Sequence, residues 1–66
     1  VQLIVNDKQR EAPEGTTVAG LIELVGLSGS PCAAEVNKEL VPKREHAERV
    51  LSEGDRVELV TLVGGG

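Results

Sequence analysis

Val1, Leu3 and Val5 alternate with other residues at the start of the chain, Ile4 adds apolar weight to the second face, and the run ends at Asn6-Asp7-Lys8. A period of two marks a strand with one buried face, and Asn-Asp suits a tight hairpin turn. The return segment from Gln9 to Ala12 is polar, with Arg10 and Ala12 on one face. It fits a sheet edge protected by charge, and Pro13-Glu14-Gly15 stops it. The spacing then changes. Val18, Leu21, Ile22 and Val25 fall at i, i+3, i+4 and i+7, a single apolar stripe that predicts a helix lying on a sheet. Either Thr16 or Thr17 stands where a helix cap is needed, and Gly26 is placed to end the helix. Gly20, inside it, costs up to about 1 kcal/mol relative to Ala. A close approach of helix to sheet would account for that glycine.

After the small residues of Leu27 to Pro31, the alternation returns in Cys32-Ala33-Ala34-Glu35-Val36, with Ala34 and Val36 on one face and Cys32 in line with them. Asn37-Lys38-Glu39 turns the chain into a short strand, Leu40-Val41, which Pro42 stops because proline lacks the donor that a ladder requires. Lys43 to Val50 is charged and irregular, with room for a single helical turn. Glu53-Gly54-Asp55 makes a turn into the longest apolar strand pattern, with Val57, Leu59 and Thr61 on one side and Glu58, Val60 and Leu62 on the other. The order β-β-α-β-β-β predicts an α+β fold, a β-grasp with a mixed sheet of four to five strands and one helix across one face. The first and last strands become parallel neighbours, the last one central. The expected division is one domain over 1–63 and a flexible glycine tail over 64–66.

Composition narrows the function classes. With 66 residues and no Phe, Trp, Tyr or Met, the core must be built from Val, Leu, Ile and Ala, which leaves little room for a bound cofactor. Asp and Glu outnumber Lys and Arg by 11 to 7, a formal charge of -4 that disfavours nucleic acid or an anionic membrane as partner and suits a basic protein surface. No apolar run reaches the roughly 18 residues of a membrane span, and no signal peptide pattern is present. The cytoplasm is the expected setting. One cysteine cannot form an internal disulfide, in keeping with a reducing compartment.

Ordinary catalytic sets are poorly supplied. Cys32 and His46 are the single residues of their types. One opens a strand and the other sits in a charged segment, so they read as a small buried hydrophobe and a solvated histidine that nothing brings together. Glu35, Glu39, Glu45, Glu48, Glu53, Asp55 and Glu58 read as solvated faces, with no pair in an apolar setting suited to acid–base work. Gly26 and Gly29 lack the spacing of a phosphate loop, and no helix follows Gly64-Gly65-Gly66 to present backbone donors.

The glycine tail is the remaining feature. Termini are commonly frayed, but these glycines follow an apolar strand with no polar spacer. Three residues reach at most about 10 Å, enough to carry a carboxylate on Gly66 into another protein's active site. Glycine leaves the walls of such a channel unobstructed.

The strand "VQLIVND", the capped helix "TTVAGLIELVG", the stretch Glu35 to Arg44, "EGDRVE" at Glu53 to Glu58 and the glycine ending together resemble the sulfur carriers of thiamine thiazole biosynthesis, which are ubiquitin-like β-grasp proteins. The likeness covers essentially the whole chain, with Lys43 and Gly64 as departures from the usual pattern. It implies a carrier rather than an enzyme, monomeric when free and binding no cofactor of its own. A ThiF-like adenylating enzyme would join the Gly66 carboxylate to AMP from ATP. Sulfur from a donor such as a cysteine desulfurase would convert it to a thiocarboxylate, and a ThiG-like thiazole synthase would consume it. Gly65 and Gly64 would keep the arm slim. Val60, Leu62 and Val63, with Glu58 steering, would meet the partners; for Val60 and Leu62 an ordinary half-exposed position is the competing reading. A Gly-Gly end is shared by the small subunit of molybdopterin synthase, which usually carries aromatic residues near its glycines, and by ubiquitin-like modifiers. A β-grasp binding module with an inert tail is the remaining alternative.

Overall fold

Two hairpins that both turn on asparagine frame the sheet in a computed structural model that describes residues 1–61. Strand β1 (Gln2–Val5) returns as β2 (Lys8–Glu11) through Asn6 and Asp7, whose φ values are 50° and 68°. Strand β3 (Cys32–Val36) returns as β4 (Glu39–Val41) through Asn37 and Lys38, at 52° and 71°. Two consecutive left-handed residues make the type I′ turn, whose twist matches that of the strands it joins, and asparagine tolerates that region better than most side chains. Strand β5 (Arg56–Thr61) lies between the hairpins in a five-stranded sheet of order β2-β1-β5-β3-β4. It pairs parallel with β1 and antiparallel with β3. The mixed sheet, the central last strand and the parallel first and last strands agree with the sequence reading. Leu62, Val63, Gly64, Gly65 and Gly66 lie outside the described residues.

Helix α1 (Val18–Leu24) covers one face and buries Val18, Leu21 and Ile22 against Leu3, Ala34, Val36, Val57 and Leu59. The cap is Thr17, whose Oγ1 accepts from the Gly20 N–H at 3.1 Å; the Thr16 hydroxyl instead donates to the Pro13 carbonyl. The other end closes as a Schellman motif. Gly26 has φ 81°, its N–H donates to the Glu23 carbonyl, and the N–H of Leu27 donates to that of Ile22. Gly20 needs a different account from close helix–sheet packing. A Cβ there would meet only Thr16 and Thr17 at 3.5 Å, an ordinary contact with the two residues that precede the helix.

The charged stretch after Pro42 is more ordered than its composition suggests. A 3-10 turn at Lys43–Glu45 folds the chain back, so the carbonyls of Arg49 and His46 accept from the N–H groups of Val18 and Ala19, at 3.0 and 2.9 Å. With Thr17 serving Gly20, the first three donors of α1 are all satisfied. The same fold-back buries Leu51 at 2% exposure and His46 at 8%. The expected solvated His46 is therefore corrected: its ring lies inside, with Nε2 3.0 Å from the Val41 carbonyl oxygen.

Candidate functional site

The last described residues of β5 stand at the end of the sheet from which the glycine tail continues, and their neighbours follow from register. Val60 lies opposite Ala33 of β3 and points away from the helix, where it is 56% exposed. Leu40, one row along on β4 and also on this open face, is 67% exposed. Glu35 lies in the same row as Leu40, opposite Leu40 on one side and Glu58 on the other. The result is an aliphatic surface at the root of the tail, beside two carboxylates that face each other across the central strand pair. Like charges directly opposite disfavour the free sheet slightly, by a few tenths of a kcal/mol where water screens them.

Of the expected contact residues, Val60 and Glu58 share this open face. Leu62, Val63, Gly64, Gly65 and Gly66 fall outside the described residues. Ala33, Leu40 and Glu35 were not singled out as contact residues by the sequence reading. Strand alternation puts Leu40 opposite in facing to the buried Val41, but only register brings it and Glu35 beside β5.

On the other side of the same strand end, Cys32 lies opposite Thr61. Its thiol is half-buried and points its weak donor toward the Ala33 carbonyl at 3.7 Å. Burial raises the thiol's pKa above its ordinary value, and a hydrogen bond with the Val60 backbone offsets part of that. Cys32 is thus a neutral thiol at physiological pH, a poor nucleophile. The separation expected between it and His46 is also corrected, since the fold-back after Pro42 makes Cys32, Lys43 and His46 line one groove. No hydrogen bond joins the thiol to the ring among the described residues, and the ring's Nε2 is engaged with Val41. Among the described residues no three His, Cys, Asp or Glu side chains gather where they could hold a metal ion, and no helix is long and apolar enough to cross a membrane.

A helix cradled by a five-stranded mixed sheet, with an apolar face at the root of a glycine tail, defines a β-grasp protein of the ubiquitin-like class. The ThiS family model matches residues 2–66, and the chain belongs to that family. It is 27% identical over 66 residues to the sulfur carrier protein ThiS of Escherichia coli, covering the full length of both. It is 33% identical over 66 residues to a thiazole synthase of Paramagnetospirillum magneticum, of which it spans 20% of the length. The crystal structure of thiamine biosynthesis protein ThiS from Geobacter metallireducens superposes over 100% of both chains with a TM-score of 0.83 at 25% identity.

Proposed function

We propose that the protein carries sulfur for thiazole formation in thiamine biosynthesis, bound as a thiocarboxylate on Gly66. The observation that carries this reading is the family match through residue 66, which includes the glycine tail. A free carboxylate is a poor acyl donor because its oxygen leaves badly. In the proposed cycle an oxygen of the Gly66 carboxylate attacks the α-phosphorus of ATP on a ThiF-like enzyme, and pyrophosphate departs. A persulfide sulfur then attacks the acyl carbon and AMP leaves. A second thiol cleaves the sulfur–sulfur bond, forming a disulfide and leaving the thiocarboxylate, an anionic nucleophile at neutral pH. The protein acts as co-substrate, and the catalytic groups belong to its partners.

The match to thiazole synthases supports an enzyme of that kind as acceptor of the sulfur. Docking uses the open sheet face, where Val60, Ala33 and Leu40 supply apolar contact and Glu58 and Glu35 favour a basic partner, with Leu62 and Val63 as further contact residues. Gly65 and Gly64 give the arm its narrow profile.

Intact-mass measurement after co-expression with the adenylating enzyme and a sulfur source tests the cycle. One oxygen is expected to be replaced by sulfur in the full-length protein and not in a variant lacking Gly66, whose thermal stability stays the same. Absence of the sulfur-containing species from the full-length protein under those conditions refutes the reading. Deletion of the coding gene is expected to create a requirement for the thiazole moiety, whereas loss of molybdoenzyme activity alone would assign the sulfur to molybdopterin.

A further inference from the structure

Strand β1 ends at Val5, yet β5 runs on beside it to Thr61, so the pairing on that flank stops before the strand does. Asn6 fills the next place in the ladder with its side chain. Its backbone N–H donates to the Val57 carbonyl at 2.9 Å, as a strand residue would. Its Oδ1 then accepts from the Leu59 N–H at 2.8 Å, and its Nδ2 donates to the Leu59 carbonyl at 3.2 Å. A side-chain carboxamide offers the same donor and acceptor as a peptide group, so it holds both polar groups of Leu59 as a paired strand would.

Asn37 makes a comparable grip at the opposite end of β5. Its N–H donates to the Arg56 carbonyl at 2.7 Å, and its Oδ1 accepts from the Arg56 N–H at 3.0 Å. Both asparagines are first residues of type I′ turns, but only Asn6 grips β5 near the end that leads to the tail. Beyond Leu59, β3 holds β5 from the other flank, through Cys32 opposite Thr61. Among the described residues, the last part of β5 is thus held by β3 on one side and by one carboxamide on the other.

We propose that Asn6 is a positioning residue for adenylation of Gly66, holding β5 at Leu59 in line while the domain is docked. The proposal rests on the sulfur-carrier reading above. Docking contacts lie on the open face and are independent of Asn6. Loss of the grip therefore loosens β5 at Leu59 without weakening the encounter, and the loss falls on turnover at saturating carrier rather than on the concentration needed for saturation.

Asn6→Gly removes the carboxamide and keeps a residue that accepts φ 50°, and Asn37→Gly does the same at φ 52° at the other end of the strand. Asn6→Asp, which keeps the acceptor for the Leu59 N–H but loses the donor to its carbonyl, serves should Asn6→Gly fold poorly. The measurements are amide exchange at Leu59 relative to Val57, and pyrophosphate release by the ThiF-like enzyme as carrier concentration is varied. Asn6→Gly is expected to speed Leu59 exchange about tenfold relative to Val57. It should lower kcat about tenfold while KM stays within about twofold. Asn37→Gly should leave kcat unchanged. Unaltered kcat in Asn6→Gly, or an equal fall in Asn37→Gly, overturns the positioning role. A wild-type carrier that the enzyme does not adenylate instead overturns the sulfur-carrier reading, while Leu59 exchange still decides whether the grip exists.

Discussion

Gly20 and Cys32 show how far a single residue's surroundings alter the meaning of its type. Gly20 faces ordinary contact distances of 3.5 Å, so nothing in the packing requires a missing side chain. Gly20→Ala is expected to stabilise the fold by about 0.5–1 kcal/mol through the backbone entropy of the unfolded chain. Thermal melting would register it as a rise of several degrees, about 4 °C for a domain of this size. Cys32 keeps its proton because burial disfavours the thiolate. Iodoacetamide should therefore alkylate it more slowly than free glutathione at neutral pH, with the rate still climbing with pH where that of an ordinary thiol has levelled off. Because the folded thiol holds its proton to higher pH than the unfolded one, its contribution to stability is present below that range and is lost as pH rises through it. A melt series across alkaline pH, compared with Cys32→Ala, reads that slope.

At the scale of elements, α1 was readable from its stripe, but its N terminus was legible only in part. The sequence left Thr16 and Thr17 equivalent as caps, since both hydroxyls precede the same apolar residues. The geometry separates them, with Thr17 accepting from Gly20 and Thr16 donating to Pro13. Thr17→Ala is expected to cost about 1 kcal/mol in chemical denaturation, and Thr16→Ala less. The segment from Lys43 to Val50 was the least readable stretch. Its value lies in backbone carbonyls supplied to Val18 and Ala19, and carbonyls carry no signature in side-chain pattern. His46 was misread for a related reason. A histidine among charged residues looks solvated until a 3-10 turn directs it inward to Val41.

Across the whole molecule, sequence alternation put Val60 on the face away from the core, and register added the neighbours that make the face a surface. Val60→Thr keeps the β-branched shape at an exposed site, so folding stability should change by less than about 0.5 kcal/mol. In the pyrophosphate assay its KM as a carrier should rise about fivefold as an apolar contact is lost, with kcat unchanged. A normal KM would remove Val60 from the docking surface. Paired with Asn6→Gly, the variant separates docking from delivery, since the two are expected to move opposite kinetic parameters.

The sequence by itself determined the strand and helix periods, the asparagine turns, the central place of the last strand and the aliphatic character of the core. All of these follow from local spacing and from the need to bury one face of each element. Only the tertiary structure decided which residues meet across strands: Ala33 with Val60, Glu35 with Glu58, Cys32 with Thr61, and Asn6 with Leu59. Those partners are separated in sequence by 23 to 53 residues, and their meeting depends on a register that becomes definite when both hairpins pack beneath one helix.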